Sequence, residues 1–474
     1  MTLTVTSPAF KANAQVAIAD VQLQRALSRG LGFVAHRQQA ADRLPEFEAL
    51  RDAARDIKNH TFAHLDLYLE AYEERVRAQG GEVHYAVTPD AARAIVLGIC
   101  RQVSAKIVTK GKTMIAEEIA LNDFLEQNGI TPVETDLGEY IIQIRRETPS
   151  HIIAPAFHLN KDQVVADFRR VHTHLPKDRN LDEPAAVLAE ARAVLRERSL
   201  AADVGITGAN FLVAETGTSI IVTNEGNGDL TQTLPKVHIV LATIEKLVPT
   251  LEDASQLLRV LARSATGQDM SVYTTLSTGP RRGDDPDGPS AYHVIILDNG
   301  RSAMLGGAFE DMLRCIRCGA CMNHCPVFGV VGGHAYGWVY PGPMGAVLTP
   351  SLIGVDQAGH LPNASTFCGR CEEVCPVRIP LPRMMRSWRE REFERHLSPA
   401  TVRGGLALWA FFAKRPVLYG WATAMAGRML GFLGAASGRF RWLPLASAWT
   451  RYRDFPAPQG ATFQAQWKRR HGRT

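Results

Sequence analysis

The hydrophobic and polar residues follow two different patterns along the chain. Residues 12–79 carry the pattern of a mostly helical segment. From residue 83, short runs rich in β-branched residues alternate with helical stretches, which is typical of βαβ units around a parallel sheet. Two further short β-rich runs, 211–215 and 219–223, predict a hairpin. Predicted strands lie near 84–87, 105–109, 131–136, 237–242, 270–275 and 292–297, and predicted helices cover 113–127, 183–198 and 251–263.

The chain ends in a second helical region. Residues 404–438 are almost continuously apolar, apart from Lys414-Arg415-Pro416 in the middle. Proline suits the first turn of a helix, so two helices are predicted, the second beginning at Pro416. The second block is about long enough to span a bilayer, but Arg428 lies in its middle, and a charge there is costly in lipid. We therefore expect both helices to pack on the preceding domain.

Length and composition are those of a soluble globular protein with two to three domains: 474 residues, 46% hydrophobic and 21% charged. The first twenty residues show no basic stretch followed by an apolar run, so we expect no export signal and a cytoplasmic protein. Charge is uneven, because residues 382–474 hold 17 Lys and Arg against 4 Asp and Glu. Such a region is predicted to dock on a partner subunit or on an anionic membrane face. Six of the seven tryptophans also lie there: Trp388, Trp409, Trp421, Trp442, Trp449 and Trp467.

Seven of the eight cysteines lie in two runs between residues 315 and 375. The first run has the bacterial ferredoxin spacing C-x2-C-x2-C-x3-C-P, at Cys315, Cys318, Cys321 and Cys325. The two-residue gaps turn the backbone tightly, so three thiolates can bind one iron–sulfur cluster while the fourth binds another. The second run also ends in Cys-Pro and contains Cys368, Cys371 and Cys375.

The second run is one cysteine short. Aligned on its Cys-Pro end, it has Ser365 where the first ligand would be. The crossed arrangement of two-cluster ferredoxins then predicts two ligand sets. Cluster one takes Cys315, Cys318, Cys321 and Cys375, and cluster two takes Cys325, Cys368 and Cys371. The fourth corner of cluster two is held by Ser365 or by water, or is empty as in a [3Fe–4S] cluster.

Other chemistry suits these cysteines less well. Structural zinc takes four ligands from paired C-x2-C knuckles, and seven cysteines in two unequal runs do not match that arrangement. A disulfide framework is typical of short secreted chains. The eighth cysteine, Cys100, lies in an apolar run and is predicted to be a buried core thiol.

The α/β part has few signals of catalysis. It contains neither GxxxxGK[ST] nor GxGxxG, so nothing predicts a nucleotide or flavin site. Thr113 is predicted to cap a helix whose free N–H groups could bind an anion beside Lys110 and Lys112, although solvated lysines are the more common outcome. Glu215, which ends the first hairpin run, and Glu225, in the glycine-rich loop 224–228, are weaker candidates for a pocket. The histidines at 151, 158, 172 and 174 lack ligand partners at metal spacing and are expected to be structural or exposed.

Three segments and both cysteine runs together resemble the lactate utilization protein B family, the iron–sulfur subunits of a three-protein bacterial L-lactate oxidation system. The segments are KGKTMIAEEIALN (110–122), TGANFLVAETGTSIIVTNEGNGDLTQTLPKVHI (207–239) and GGHAYGWVYPGPMGAVLTP (332–350). The resemblance implies an α/β LUD domain similar to the sugar-isomerase/CoA-transferase fold, then an α-helical ferredoxin domain with two [4Fe–4S] motifs, then a helical C-terminal domain. The family's ligand pattern falls on the two cysteine sets given above. Expected boundaries are 1–80 for an N-terminal helical segment, 81–300 for the LUD domain, 301–396 for the ferredoxin domain and 397–474 for the basic, Trp-rich C-terminal domain.

The resemblance also implies a function. Electrons from the oxidation of L-lactate to pyruvate would pass through the two clusters to a further acceptor. Alternatively, this chain would itself be the lactate dehydrogenase, with substrate in a LUD pocket near Glu215 and Lys110. Hydride removal normally needs a nicotinamide or flavin, for which no fingerprint is present, so the electron carrier is favoured. The expected partners are the A-type cysteine-rich subunit and the C-type LUD subunit, with peripheral membrane contact as a further option and no nucleic acid.

Overall fold

The computed structural model describes residues 5–28, 30–444, 446–451 and 453–472, and it divides the chain into two compact units, 1–391 and 392–474. The strands up to residue 297 are β1 (Glu82–Ala86), β2 (Ile107–Gly111), β3 (Thr131–Glu134), β4 (Val204–Thr207), β5 (Phe211–Val213), β6 (Thr218–Thr223), β7 (Val237–Thr243), β8 (Leu247–Val248), β9 (Tyr273–Ser277) and β10 (Ala291–Leu297). The helices up to residue 265 are α1 (Phe10–Ala19), α2 (Val21–Ser28), α3 (Leu31–Asp42), α4 (Phe47–Ala63), α5 (Leu65–Ala78), α6 (Pro89–Gln102), α7 (Met114–Glu118), α8 (Leu121–Gln127), α9 (Leu137–Arg145), α10 (Lys161–Val171), α11 (Pro184–Leu200), α12 (Asn227–Thr233) and α13 (Leu251–Ala265).

The predicted α/β domain is built on a parallel six-stranded sheet in the order β1-β10-β7-β4-β2-β3. Its inner strands are almost continuously apolar because both faces are covered, and β7 buries every residue. Helix α6 packs on one face, whereas α5 packs on the other through Tyr72 and Val76, which share a core with Tyr292. The chain runs from β2 outward to β3 and then returns to the other side of β2 as β4. Strand order therefore reverses between β2 and β4, and such a reversal leaves a crevice outside the carboxyl ends of the strands.

Two of the predicted elements differ in detail. The predicted helix 113–127 is broken into α7 and α8, because Ala120 between them adopts a left-handed conformation with φ of 51°. The strand predicted at 270–275 begins three residues later, as β9. The predicted cap is confirmed, since the Thr113 hydroxyl accepts a hydrogen bond from the Ala116 N–H.

The predicted hairpin is present as β5 and β6, within a second sheet of order β8-β5-β6-β9. Gly217 makes its turn with φ of 70°, and a side chain there would come within 2.8 Å of the α5 backbone at Arg75. Only glycine combines that left-handed conformation with so close an approach. The turn therefore fixes the hairpin against α5.

The cysteine runs lie in a helical part of the first unit. Its helices are α14 (Ala320–Asn323), α15 (Phe328–Val331), α16 (Gly342–Ile353), α17 (Val355–Ala358), α18 (Arg370–Glu373) and α19 (Leu381–Glu394), the last of which runs past the unit boundary. Residues 311–391, all of which the structure describes, contain no strand. The Trp388 indole N–H donates to the Val347 carbonyl at 3.1 Å and its ring stacks on Phe309 at 4.2 Å, which holds α19 against α16.

The second unit contains the two helices predicted within 404–438. Its elements are α20 (Ala400–Ala413), α21 (Pro416–Gly434), β11 (Arg439–Phe440), α22 (Ser447–Thr450), β12 (Phe455–Pro456) and α23 (Phe463–His471). The second helix begins at Pro416, as predicted. Helix α20 buries none of its residues and α21 buries only Gly434, so Trp409, Trp421 and Phe432 are largely exposed. Within the described ranges, no helix is long and apolar enough to cross a membrane.

Candidate iron–sulfur centre and the adjoining cleft

The two cysteine runs adopt the same local fold. Arg317 and Phe367, each directly before a cysteine, are left-handed with φ of 60° and 56°. The glycines directly after those cysteines, Gly319 and Gly369, are left-handed as well, and each opens a four-residue helix, α14 or α18. The matching backbones align Cys318 with Cys368 residue by residue. In that alignment Ser365 occupies the position of Cys315, as the spacing predicted.

The first cysteine set lies around one small cavity. That cavity is lined by Cys315, Cys318, Cys321 and Cys375, with apolar side chains such as Met344 and Ile379 closing it. Cys375 comes from the second run, yet it faces the three cysteines of the first. Burial raises the pKa of Cys318, and the neighbouring Cys375 raises it further.

The remaining three cysteines lie close to one another. Burial, together with the nearby Cys325 and Cys368, raises the pKa of Cys371 to about 12. Cys368 is exposed, and its pKa is lowered by the backbone N–H of Arg370 and the hydroxyl of Thr366. This second set is therefore nearer the surface than the first.

The donor chemistry of both sets suits iron–sulfur clusters. Buried thiols that raise one another's pKa cannot all be ionised in an apolar cavity unless a cationic centre lies among them. The predicted core thiol Cys100 is apart from them: it is fully buried, and burial raises its pKa to about 12.

Two buried arginines from the N-terminal helices hold the second run. The Arg51 guanidinium in α4 donates to the Cys375 carbonyl at 2.8 Å, and Arg37 in α3 donates to the Val374 carbonyl at 3.1 Å. Their positive charges lie beside the thiolates, where they favour a negatively charged cluster. The N-terminal helices thus take part in the centre, which the sequence pattern did not indicate.

Tyr336 lies next to the cysteines of both sets. It is fully buried, and its hydroxyl has no hydrogen-bond partner among the residues that the structure describes. Burial raises the pKa of Tyr336, and the electrostatic effect of Cys325, Cys321 and Cys371 raises it further. A buried hydroxyl without an acceptor is costly, and sulfur atoms of a cluster would supply one.

A cleft of about 200 Å³ adjoins the first cysteine set. It lies at the carboxyl ends of β2, β4 and β7, where the strand order reverses, and it is lined there by Lys112, Asn210 and Lys246. Arg317 and Cys318 form its other wall. Gly208, which follows β4, allows the loop after β2 to pass close by, because a side chain at that position would come within 2.5 Å of the Lys112 carbonyl.

Of the residues that the sequence suggested for this region, Lys110 and Glu215 do not line the cleft. Lys110 is not a solvated loop residue: it is 2% exposed and pairs with Glu134 at 2.6 Å and Glu117 at 2.8 Å. Those carboxylates raise its pKa although burial alone would lower it. Lys112 does line the cleft and pairs with Asp136 and Glu225. Glu215 lies elsewhere, where it accepts a hydrogen bond from the Leu251 N–H.

A buried charge network joins the strand ends to the cysteine segment. Arg301 is fully buried, pairs with Glu118 at 2.7 Å and also pairs with Glu245 at 3.1 Å. Arg317 pairs with Glu245 at 3.2 Å, and the Tyr340 hydroxyl donates to Glu118. Although burial would raise the pKa of Glu245, Arg301 and Arg317 lower it to about 2.

Sequence reasoning missed Lys246, Arg301 and Arg317. Lys246 follows the predicted strand 237–242, and the carboxyl ends of parallel strands meet at one edge of a sheet, so the topology rule could have indicated it. Arg317 lies between two ligand-spaced cysteines. No local pattern distinguishes Arg301.

Family models match three successive parts of the chain. They are a LUD domain at residues 69–297, a 4Fe-4S dicluster domain at 311–379, and the C-terminal domain of lactate utilisation protein B at 380–472. The parallel-sheet domain and the cysteine segment thus define an iron–sulfur protein that joins a LUD domain to a 4Fe-4S dicluster domain.

Known relatives match the chain over nearly its whole length. Lactate utilization protein B of Macrococcus caseolyticus is 42% identical over 98% of both chains, and that of Bacillus pumilus is 39% identical over 99% of both. A protein of Escherichia coli named uncharacterized electron transport protein YkgF is 38% identical over 99% of this chain and 98% of its own. This chain belongs to the lactate utilization protein B family.

Proposed function

We propose that this chain is the iron–sulfur electron-transfer subunit of an L-lactate-oxidising system. Oxidation of L-lactate to pyruvate releases two electrons and two protons, and each cluster would carry one electron at a time to a downstream acceptor. The observation that carries the proposal is the pair of interleaved cysteine sets, in which Cys375 of the second run faces the first run. Interleaving brings two clusters close together, as rapid transfer between them requires.

The proposed ligands are those of the crossed arrangement. Cluster one is held by Cys315, Cys318, Cys321 and Cys375, and cluster two by Cys325, Cys368 and Cys371. Both are [4Fe–4S] in the simplest case, and cluster two has Ser365, water or an open [3Fe–4S] corner at its fourth position. The helical arrangement of residues 311–391 supports an α-helical ferredoxin domain. The proposed domain boundaries are those expected from the sequence, after residues 80, 300 and 396.

The proposed partners are the A-type cysteine-rich subunit and the C-type LUD subunit. The test is stopped-flow reduction of the anaerobically purified chain, with and without these subunits. L-lactate should bleach the cluster absorbance only in the full mixture, and Cys371→Ser in this chain should abolish electron delivery. If the full mixture oxidises lactate equally well with that variant, this chain is not the carrier.

A second candidate function is that the chain itself dehydrogenates lactate. The cleft beside Cys318 favours it, since a substrate there would adjoin cluster one. Lactate-dependent dye reduction by the chain alone would establish this second function and overturn the first.

Ser365→Ala tests the fourth position of cluster two. Ser365 is half-buried, and its hydroxyl accepts a hydrogen bond from the Phe367 N–H at 3.0 Å, so its oxygen is held close to Cys368. If this oxygen binds iron, we expect the variant to lose iron or to shift the EPR signal of cluster two, measured on anaerobic protein. An unchanged signal would mean that the fourth position of cluster two is held by water or is open.

Tyr336→Phe tests the buried hydroxyl. Hydrogen bonds to cluster sulfur stabilise the more negative reduced state, so their removal lowers the midpoint potential. Loss of about 1 kcal/mol corresponds to about 40 mV for one electron, and we expect a fall of that size in an EPR-monitored redox titration. Tyr72→Phe, which removes a buried hydroxyl of the α/β core, is the control and should leave both potentials unchanged. If Tyr336→Phe has the same cluster potentials as the control Tyr72→Phe, the Tyr336 hydroxyl does not donate a hydrogen bond to cluster sulfur.

Removal of residues 439–474 tests the role of the second unit. Its exposed tryptophans and excess of basic residues suit a partner surface, so we expect the truncated chain to keep both clusters but to assemble poorly with the other subunits. Analytical ultracentrifugation of the three-subunit mixture measures assembly. Salt-sensitive pelleting with anionic liposomes tests the alternative, in which the second unit docks on a membrane surface. Unchanged assembly and pelleting would contradict any docking role.

A further inference from the structure

The cleft contains a guanidinium that is only partly satisfied. The Arg317 side chain is 10% exposed, and it uses one N–H group to pair with Glu245 at 3.2 Å. Its Nε and Nη1 atoms are buried and have no hydrogen-bond partner among the residues that the structure describes. Its position is fixed, because the guanidinium lies over the Tyr340 ring at 4.7 Å. Unpaired donors on a fixed, buried guanidinium are costly unless an anion binds them.

A second cation lines the same cleft. Lys246 is 7% exposed, and its side chain forms neither a hydrogen bond nor a salt bridge with any residue in the described part of the chain. Burial and the nearby Arg317 lower its pKa to about 8. Arg317 and Lys246 thus present two buried cations to the cleft, and the carboxylate that pairs with Arg317, Glu245, is shared with Arg301.

We propose that this cleft binds a small organic carboxylate, held by Arg317 and Lys246 next to the cysteines of cluster one. The volume of about 200 Å³ is below the usual range for drug-sized or nucleotide ligands, so it fits a small metabolite. The Asn210 amide oxygen accepts from the Val222 N–H at 3.0 Å, which leaves the amide N–H groups to donate to a further oxygen of the ligand. The site rests on the proposed function and deepens it, because it would hold the substrate class of the lactate-oxidising system next to cluster one.

A carboxylate fits this site better than a phosphate. A carboxylate brings one negative charge to Arg317 and Lys246, whereas a dianion would bury a second negative charge close to the thiolates of cluster one. Asp136 also lines the cleft, and its carboxylate disfavours a ligand with a second negative group. Burial and the neighbouring Glu134 and Asp136 raise the pKa of Glu139 well above its usual range, so this carboxyl can donate a hydrogen bond to a hydroxyl or carbonyl oxygen.

Calorimetric titration of the anaerobically purified full chain tests the site. The probes are L-lactate, its neutral amide L-lactamide, and inorganic phosphate. We expect L-lactate to bind at least about tenfold more tightly than either, since charge-assisted hydrogen bonds to the carboxylate are lost with the amide. L-lactate should also shift the EPR signal of cluster one and leave that of cluster two unchanged. Equal binding of the amide, or tighter binding of phosphate, would overturn the carboxylate assignment.

Lys246→Gln is the main variant, because the lysine contributes no contact that the fold needs. We expect it to weaken L-lactate binding at least about tenfold while the iron content stays unchanged. Lys236→Gln, at an exposed lysine outside the cleft, is the matched control. Arg317→Gln should act in the same direction, and its iron content reports whether the neighbouring cluster has formed.

Two results separate this inference from the proposed function. If Lys246→Gln changes the potential of cluster one but not the affinity for lactate, the lysine only tunes the cluster and the carboxylate site is wrong. If lactate binds as expected but the three-subunit mixture transfers no electrons through this chain, the site stands and the carrier function fails.

Discussion

Cys375→Ser is expected to remove cluster one, about four of about eight irons per chain, while cluster two keeps its EPR signal. The reason is the position of Cys375: it belongs to the second run in sequence but lines the cavity of Cys315, Cys318 and Cys321. Cys371→Ser should do the reverse, because Cys371 lies beside Cys325 and Cys368. Iron analysis and EPR of anaerobically purified protein measure both effects.

Cys100→Ala is the matched control for these two variants. It also removes a buried thiol, but one in the core of the α/β domain, so the iron content should not change. If Cys375→Ser instead removes the signal that depends on Cys325, each run binds its own cluster and the crossed arrangement is wrong.

Arg301→Met is expected to lower the free energy of unfolding by about 3–5 kcal/mol, because it leaves two carboxylates buried without their main counter-charge. Glu118 and Glu245 are 6% and 3% exposed, so water cannot replace the guanidinium. Chemical denaturation followed by circular dichroism measures the loss. Arg43→Met is the control: it breaks the exposed pair with Asp269, at 56% and 59% side-chain exposure, and should cost less than about 1 kcal/mol. Similar losses in the two variants would contradict the importance of the buried network.

The same network predicts the direction of the pH dependence. The pKa of Glu245 is depressed to about 2 in the folded chain, below its value of about 4.3 in an unfolded one. Its stabilising contribution is therefore complete above about pH 5 and is lost as the pH falls toward 2. Arg301→Met should have a flatter stability profile across that interval than the unmodified chain.

The sequence by itself determined the features that depend on neighbouring residues. Cysteine spacing indicated the iron–sulfur chemistry and the position of Ser365, because two-residue gaps and the following proline constrain the local backbone. Thr113 and Pro416 marked helix starts, since caps and a fixed φ act within one turn. The apolar runs indicated a parallel sheet because strands covered on both faces lack a polar side.

Only the tertiary structure decided the features that depend on distant residues. Lys110 looked like a loop lysine, but the sheet places it beside Glu117 and Glu134, whose charges compensate its burial. The cleft combines Lys246 and Asn210 with Arg317 because strand order reverses between β2 and β4, and local sequence does not encode that order. A short-range pattern records which side chains neighbour each other along the chain, whereas the free energy of a buried charge depends on partners that only the folded topology brings within reach.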